Sequence, residues 1–542
     1  MSDRWYQNAV FYEVYVRAFC DSDGDGHGDL AGLTQKLDYL KSLGVDCIWL
    51  MPIYPSPLRD DGYDIADYYN ILQTYGTLED FRCLVTEIHT RGMRIITDLV
   101  LNHISDQHPW FQTARTDRHS PFRDYFVWSD TDQKFRDARI IFLDTEKSNW
   151  TWDEQAGQYF WHRFYSTQPD LNYDNPAVQK EMLHVAKHWL DLGVDGFRAD
   201  AVPYLIEREG TNCENLPETH AYLKLLRRFI DENYTGRILL CEANQWPEDV
   251  RPYFGEGDEF QLGFHFPVMP RIFKALRSGL AAPVIEILNR TPPIPASCQW
   301  CTFLRNHDEL TLEMVSEEDR QWMWREYAPD PRMRLNLGIR RRLAPLLDND
   351  RRKIELANSL LLTLPGSPVL YYGDEIGMGD NIWLEDRNGV RTPMQWTAEP
   401  GSGFSTASPD RLYTPLISDS EFAPARVNVA VQQADPDSLL NTLRGLISLR
   451  KKHKAFSLGE LSWVELAVPD ASLLAYHRTF EQETVLALHN LSAEPRRAAL
   501  CLLPETQAVR DLRSGEMLQM AGGEVLELTL APFEFRWLEE LH

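Results

Sequence analysis

Three acidic residues, each placed at the end of a short apolar stretch, are the groups in this sequence best suited to chemistry. They are Asp200, which ends the segment GFRAD, Glu242, which follows ILLC, and Asp308, which follows LRNH. Three carboxyl groups, each at the end of its own strand-like run, can supply an ionised nucleophile and a proton donor if the fold brings them together.

Arg198 precedes Asp200 by two residues, so in a strand both side chains point to the same face. A guanidinium beside a carboxylate favours its ionised form. We therefore expect Asp200 to stay ionised well below neutral pH, as a nucleophile must. We expect Glu242 to lack such a cationic partner, to lie near two negative groups and to have a raised pKa, as a proton donor must.

Each of these residues also has a structural explanation. An Arg198–Asp200 pair is typical of a scaffold ion pair, and His103 and His307 are typical of ordinary polar neighbours. Polar groups at the ends of several strands on one face favour the catalytic interpretation.

Eight strand-like apolar stretches, separated by amphipathic helical patterns, predict the scaffold that positions these residues. The predicted strands are Val10–Phe19, Cys47–Pro52, Arg94–Leu101, Gly196–Ala201, Arg237–Ala243, Phe260–Phe266, Cys301–Arg305 and Pro368–Tyr372. Strand–helix repetition of this kind favours a parallel sheet closed into a (β/α)8 TIM barrel. Because active sites of this fold lie at the carboxyl ends of the strands, the barrel would bring the three acids together.

Two stretches do not fit the barrel pattern and predict further domains. Residues 104–172, after the third strand, are rich in aromatic residues and aspartate, and we expect a small inserted domain that covers the active site. Residues 457–542 carry short β-like runs and turn signals, and we expect an antiparallel β-sandwich. The barrel would then comprise residues 1–103 and 173–456.

The composition restricts the class of protein. A formal net charge of −26 would repel nucleic acids and anionic membranes, so neither is expected as a partner, and a hydrophobic fraction of 43% is ample for a large core. The N-terminal residues lack a secretory signal pattern, and no apolar run is long enough to span a membrane. The eight scattered cysteines suit a reducing compartment, so we expect a cytoplasmic enzyme.

An acidic, glycine-rich loop near the N-terminus predicts a cation site. Its candidate ligands are the carboxylates of Asp21, Asp23, Asp25 and Asp29 and the backbone carbonyl of His27. Gly32 stands where an EF-hand requires its twelfth-position glutamate, so a smaller loop for Ca²⁺ or Mg²⁺ is expected. A solvated acidic turn is the alternative.

Four segments in order resemble the signature regions of the α-amylase family, glycoside hydrolase family 13. They are Asp98–His103 (DLVLNH), Gly196–Asp200 (GFRAD), Glu242–Asn244 (EAN) and Asn306–Asp308 (NHD). The resemblance covers nearly the whole chain and implies the same barrel.

Three further segments are similar to those of the family members that interconvert maltose and trehalose. They are Gln168–Tyr173 (QPDLNY), Glu207–Asn215 (EREGTNCEN) and Asn336–Asp350. This resemblance implies intramolecular glucosyl transfer through a covalent glucosyl-enzyme intermediate, with minor hydrolysis to glucose. It also suggests a homo-oligomer and a maltose-phosphorylating enzyme as partners. An exo-acting α-glucosidase is the main alternative, and a non-catalytic carbohydrate-binding relative is a further one.

The family resemblance also assigns roles. It implies Asp200 as nucleophile, Glu242 as general acid/base and Asp308 as the carboxylate that steadies the sugar ring. It further implies that the sugar is bound by Tyr63, Asp64, His103, His307 and Arg391, while Arg198 holds Asp200 ionised.

A second cation site is implied by the resemblance alone. Its ligands would be Asn102, Asp170, Glu207 and the carbonyls of Tyr204 and Leu205. It would tie the inserted domain to the loop after the fourth strand. No organic cofactor is expected.

Overall fold

The computed structural model describes residues 4–518 and 525–541, and eight strands within these residues close into a parallel barrel. The strands are β1 Phe11–Val14, β2 Cys47–Leu50, β3 Arg94–Val100, β4 Gly196–Asp200, β5 Ile238–Cys241, β6 Leu262–Phe264, β7 Gln299–Phe303 and β8 Ser367–Tyr371. Each strand pairs with the next in the chain, and β8 pairs with β1. The predicted (β/α)8 fold is confirmed.

All eight predicted strands occur; six are shorter than predicted, and the last two are shifted by one or two residues toward the N-terminus. The first predicted strand, Val10–Phe19, ends at Val14, and the chain turns into a short helix over Val16–Phe19. Cys298 and Cys301 lie at the start of β7 as buried free thiols, so this part of the sequence is the beginning of a strand.

Helices on the outside of the barrel connect the strands. Their bounds are Leu30–Gln35, Leu37–Leu43, Leu78–Thr90, Pro109–Thr116, Pro176–Asp191, Pro217–Asn233, Pro247–Val250, Val268–Ser278, Ala282–Arg290, Glu317–Tyr327, Leu343–Leu346, Arg351–Thr363, Val429–Ala434, Leu439–Lys452 and Ala455–Leu458. Thr77 and Asp80 form a capping box at the start of Leu78–Thr90, which fixes where that helix begins. Its buried residues, Phe81, Leu84, Val85 and Ile88, follow the helical period that the sequence predicts.

The connection between β3 and β4 contains a small antiparallel sheet. Its strands are Trp128–Ser129, Trp150–Asp153 and Gln158–Trp161. Aromatic side chains dominate its packing; Phe111, for example, stacks on Trp128 at a centroid distance of 5.7 Å. An isolated bridge from His103 to Asp170 joins this insertion to the segment after β3, and a second bridge pairs Phe126 with Leu171 within the insertion.

The C-terminal part of the chain forms two packed antiparallel sheets. One consists of Glu460–Trp463, Leu473–Phe480, Glu483–Asn490, Ala508–Asp511, Met517–Leu518 and Phe535–Leu541, and the other of Arg496–Cys501 and Val525–Leu530. Side chains alternate along each strand. Leu486 and Leu488 therefore pack toward the second sheet, while Val485 and Ala487 pack toward the barrel. The predicted β-sandwich is confirmed.

These sheets give physical support to the domain boundaries expected from the sequence. We propose that residues 1–103 and 173–456 form the barrel domain, 104–172 the inserted domain and 457–542 the C-terminal domain. Within the described residues, none of the helices combines the length and apolar character that crossing a membrane requires.

Candidate active site

The three predicted catalytic acids meet in one cavity at the carboxyl ends of the barrel strands. Asp200 is the last residue of β4, Glu242 follows β5 directly, and Asp308 lies on the loop after β7. Other lining acids are Asp60, Glu309 and Glu313, and the aromatic lining consists of Tyr63, Phe142, Phe164, Tyr204 and Phe266. Aromatic faces together with polar groups that converge are typical of a sugar-binding cavity.

Arg198 lies beneath the cavity and contacts three carboxylates at once. Its Nη1 donates to Asp98 Oδ1 and to Asp200 Oδ1, each at 2.5 Å, and its Nη2 pairs with Glu242 Oε1. The expectation that Glu242 lacks a cationic partner is therefore wrong. The alternation of side chains predicted the Arg198–Asp200 contact, whereas the contact with Glu242 arises because β5 pairs directly with β4.

Burial decides the protonation of these acids. It raises the pKa of Glu242 to about 8, against the opposing pull of Arg198 and with a further contribution from Asp200 and Asp308. Burial also raises the pKa of Asp200, to about 6, although Arg198 works in the opposite direction. The expectation that Asp200 stays ionised well below neutral pH is thus wrong. At neutral pH Asp200 is still mostly ionised and Glu242 mostly protonated, which is the predicted division of roles.

Asp308 is the acid held most firmly in its ionised form. Burial alone would raise its pKa, but His307, Arg387 and Arg391 lower it below the usual value. Arg387 Nε lies 2.9 Å and Arg391 Nη2 3.2 Å from Asp308 Oδ1. A permanently negative group here can stabilise positive charge that develops on a bound sugar ring.

Two histidines predicted to bind sugar line the same cavity. Burial lowers the pKa of His103 to about 3, so its ring is neutral, and its Nε2 has no hydrogen-bond partner in the described part of the chain. His307 stacks on Tyr63, with ring centroids 5.3 Å apart and an interplanar angle of 14°. All three side chains are therefore available at the cavity wall.

Two predicted sugar contacts are not at the cavity wall. The Asp64 carboxylate accepts hydrogen bonds from Ser56 Oγ at 2.7 Å and from the Arg59 amide at 3.1 Å, so it organises its own loop. Arg391 is buried behind Asp308, where it donates to the His307 carbonyl at 2.9 Å and pairs with Asp61. The prediction of direct contact is not supported for either residue.

Several residues that shape the site have no role predicted from the sequence. Asp60 and Arg387 line the cavity where Asp64 and Arg391 were expected. Asp98 opens one of the signature segments, and Glu13 is a lone acid inside the apolar strand β1. An acid in an otherwise apolar barrel strand is a signal that could have identified both.

A group of contacts joins the insertion to two residues of the cavity wall. Arg139 Nη1 pairs with Glu313 Oε2 at 2.5 Å, its Nε with Glu214 Oε1 at 2.8 Å, and its Nη2 donates to the Tyr204 hydroxyl at 3.1 Å. Glu313 and Tyr204 both line the cavity. Arg139 thus joins the insertion to loops after β4 and β7.

The N-terminal acidic loop brings three of its predicted cation ligands together. Carboxylate oxygens of Asp21, Asp23 and Asp29 lie within 4.8 Å of one another. The carboxylate of Asp25 lies outside this group, and its Oδ1 accepts the His27 amide at 2.8 Å. Converging carboxylates fit a hard cation such as Ca²⁺.

The second predicted cation site fits a cation by a different observation. Asn102 Oδ1, Asp170 Oδ2 and Glu207 Oε1 are buried, and none has a hydrogen-bond partner in the described residues. Buried oxygens without partners are costly, and a bound cation would satisfy all three.

The chain matches known families over nearly its whole length. The model of the alpha-amylase catalytic domain matches residues 13–329 and 339–459, and the model of the maltogenic amylase C-terminal domain matches residues 464–537.

Relatives and a solved structure extend this match. The chain is 56% identical to trehalose synthase/amylase TreS of Mycobacterium tuberculosis over 99% of this chain and 90% of that protein. It is 54% identical to trehalose synthase of Pimelobacter sp. over 98% and 95%. The crystal structure of an alpha-amylase from H. orenii superposes with a TM-score of 0.80 at 30% identity, covering 98% and 99%.

The two raised pKa values predict a bell-shaped pH profile. We expect kcat/KM for a glycoside to rise as Asp200 loses its proton, with a limb near pH 6, and to fall as Glu242 loses its proton, with a limb near pH 8. Initial rates at low substrate concentration across this range test the profile. An activated aryl glucoside, whose leaving group needs no proton, should weaken the alkaline limb only. A profile that keeps rising above pH 9 would contradict the assignment of Glu242.

Proposed function

The chain belongs to the alpha-amylase family, and on that premise we propose that it interconverts maltose and trehalose by intramolecular glucosyl transfer. The proposal is supported by 54–56% identity to relatives named trehalose synthase, over 98–99% of this chain. The observation that carries it is the contact of Asp200 and Glu242 with one buried guanidinium at the base of the cavity.

The first half of the reaction uses the two acids in opposite protonation states. Glu242 donates its proton to the oxygen that links the two glucose units of maltose. Asp200 attacks the anomeric carbon, the glycosidic bond breaks, and a glucosyl group becomes bonded to Asp200 while glucose is released. Asp308, which cannot leave its ionised state near neutral pH, stabilises the positive charge on the ring between these events.

The second half rebuilds a glycosidic bond at a different hydroxyl. The released glucose turns within the cavity and presents its anomeric hydroxyl. Glu242, now a carboxylate, takes the proton of that hydroxyl. The hydroxyl oxygen attacks the anomeric carbon of the bound glucosyl group, and the bond from that carbon to Asp200 breaks. Two inversions at the same carbon give net retention, and trehalose is the product.

Glucosyl transfer to the held glucose must be faster than attack by water. We propose that the contacts of Arg139 help to keep glucose in and water out. A held, oriented glucose can reach an effective molarity of order 10⁵ M, far above the concentration of water. The Arg139 contacts with Glu313, Glu214 and Tyr204 keep the insertion against the loops after β4 and β7. An α-glucosidase needs no such retention of glucose. Because the held glucose reacts before water does, we propose hydrolysis to glucose as a minor side reaction.

The sugar-binding roles follow from which side chains line the cavity. We propose that the ring of Tyr63 packs against the glucose being transferred, while His103 and His307 hydrogen-bond its hydroxyls. Asp60 and Arg387 take the outer hydroxyl contacts that were expected of Asp64 and Arg391. Arg391 acts through Asp308 and Asp64 through its loop.

We propose structural cations at both predicted sites, with Ca²⁺ the better fit to their oxygen donors. Asp21, Asp23 and Asp29 would hold the first through their carboxylates, with the Asp25 carboxylate and the His27 carbonyl as expected further ligands. Asn102, Asp170 and Glu207 would hold the second, together with the carbonyls of Tyr204 and Leu205. A cation there neutralises buried carboxylates and joins the insertion to the loop after β4.

We propose a cytoplasmic location for the enzyme. The eight cysteines are all free thiols, which suits the cytoplasm. The substrate is a disaccharide. The homo-oligomer and the maltose-phosphorylating partner are proposals that rest on the family resemblance alone.

Incubation with maltose tests the function directly. We expect trehalose to form, with little glucose, and to carry no label when labelled free glucose is added, because the glucose never leaves the cavity. Asp200→Asn and Glu242→Gln should each reduce turnover by about a thousandfold or more while the fold persists. Glu259→Gln, at a buried carboxyl away from the cavity, is the matched control. Glucose as the sole product would identify an α-glucosidase, and no reaction would identify a binding protein.

Weakening the Arg139 contacts should increase hydrolysis at the expense of glucosyl transfer. In Arg139→Gln we expect the fraction of maltose hydrolysed to glucose to rise severalfold, because the released glucose escapes or water enters more often. Product ratios from chromatography measure this. Arg136→Gln, an exposed arginine three residues earlier, should leave the ratio as in the wild type. An unchanged ratio in Arg139→Gln would show that this contact does not retain glucose.

Cation binding should appear in thermal stability. After treatment with a chelator, added Ca²⁺ should raise the unfolding midpoint, since a ligand at a hundred times its dissociation constant stabilises by about 2.7 kcal/mol per site. Asp23→Ala and Glu207→Gln should each remove part of this response, and the combined variant should remove it. Asp191→Asn, at an exposed pair with Lys187, is the control. A full response in the combined variant would place the cations elsewhere.

A further inference from the structure

Glu13 is a buried acid beneath the cavity that the reaction as described does not use. It lies on β1 between Trp49 of β2 and Tyr371 of β8, and its side chain is 0% exposed. Its Oε1 is 2.5 Å from His307 Nδ1. Its Oε2 is buried without a hydrogen-bond partner in the described residues. This acid therefore has one strong contact, and that contact leads to a residue of the cavity wall.

The other nitrogen of His307 faces the cavity. Nε2 is 2.9 Å from the Tyr63 hydroxyl and 3.4 Å from Asp308 Oδ2. Stacking on Tyr63 and an edge contact with Trp49, at a centroid distance of 5.8 Å, hold the ring in place. Because the ring cannot turn away, the proton at its inner nitrogen determines what its outer nitrogen offers to the sugar.

Two neutral arrangements of the His307 proton are conceivable, and they differ at the cavity. If Glu13 is a carboxylate that accepts from Nδ1–H, then Nε2 carries a lone pair toward the Asp308 carboxylate and accepts a hydrogen bond from the Tyr63 hydroxyl. If Glu13 is a carboxylic acid that donates to Nδ1, then Nε2–H donates toward Tyr63 and Asp308. The Tyr63 oxygen, which lies 3.5 Å from Arg198 Nη1, is then an acceptor, and its own proton is free for a sugar oxygen.

The surroundings favour the second arrangement. A buried carboxylate whose Oε2 had no donor would be costly, whereas a protonated oxygen leaves less unsatisfied charge. Burial and nearby Asp98 raise the pKa of Glu13, although Arg198 opposes them. Burial lowers the pKa of His307; Asp308 opposes this shift, and the nearby cations Arg391, Arg198 and Arg387 add to it. A doubly protonated His307 beside these arginines is therefore disfavoured.

We propose that Glu13 is a positioning residue that, as an uncharged carboxylic acid, donates a hydrogen bond to His307 Nδ1 and thereby fixes the tautomer whose Nε2–H faces Asp308, Tyr63 and the sugar. The order of donation runs from Glu13 through His307 to Tyr63. It leaves the Tyr63 hydroxyl proton directed at a substrate oxygen. Glu13 touches no substrate itself.

The tautomer can be read without any turnover. Histidine-selective ¹⁵N labelling of the full chain, which has 15 histidines, gives ring nitrogen signals, and the His307 signals are those missing from His307→Gln. We expect an unprotonated Nδ1 and a protonated Nε2 near neutral pH. A protonated Nδ1, alone or with Nε2, would overturn the proposal.

Two substitutions separate donation from mere space filling. Glu13→Met keeps the length without a donor, and its His307 signals should shift toward a mixture of tautomers. Glu13→Gln offers an amide N–H to Nδ1 and should retain the wild-type tautomer. Circular dichroism and thermal midpoints show whether each variant is folded. Wild-type His307 signals in a folded Glu13→Met protein would overturn the proposal.

A second buried pair of the same kind provides the matched control. Glu259 Oε1 is 2.8 Å from His220 Nδ1, and its Oε2 also has no partner in the described residues, but neither residue lines the cavity. Glu259→Met should therefore change the His220 signals and leave those of His307 and the maltose kinetics as in the wild type. Altered His307 signals in this variant would mean that they report general disturbance, against the proposal.

The kinetic part rests on the proposed function. In Glu13→Met we expect kcat/KM for maltose to fall about tenfold or more, with Glu13→Gln recovering most of the loss. Equal losses in both variants would indicate a structural role and overturn the proposal. A protein that makes no trehalose from maltose would refute the proposed function, yet the ¹⁵N signals would still decide the tautomer.

Discussion

The guanidinium of Arg198 is the group on which the rest of the site depends. It contacts Asp98, Asp200 and Glu242 at the point where β3, β4 and β5 lie side by side. Three carboxylates so close together would repel one another, and all would tend to protonate if buried without a cation. One shared guanidinium, with Asp200 on one terminal nitrogen and Glu242 on the other, holds the two carboxyl groups side by side, as the proposed mechanism requires.

Burial then separates the roles that the shared cation would otherwise make equal. Glu242 ends with a pKa of about 8 and Asp200 with one of about 6. The interval around neutral pH between these values is where an ionised nucleophile faces a protonated donor. Asp308 is ionised as well, because Arg387 and Arg391 lie beside it. The barrel places the acids, and the unequal surroundings of each acid assign its task.

The parts of the sequence that predicted well were those where local pattern and global fold agree. Apolar runs ending in polar residues gave all eight barrel strands, and the alternation of side chains gave the Arg198–Asp200 contact. The predictions that failed concerned which groups surround a side chain once the chain has folded. Asp64 is adjacent to Tyr63, yet its carboxylate is used by Ser56 and Arg59, and nothing in the local sequence distinguishes a loop-forming aspartate from one that faces a cavity.

The sequence by itself determined which acidic and basic side chains are available and which scaffold carries them. The reason is that the periodicity of strands and helices is local and can be recognised in a single sequence. It also determined the family, through four short segments in a fixed order. Only the tertiary structure decided that Glu242 shares the cation of Asp200, that Glu13 lies against His307, and that Arg139 pairs with Glu313 at the cavity wall. The physical reason is that protonation and contact depend on what surrounds a side chain in space, and those surroundings come from strands and loops that only the closed barrel brings together.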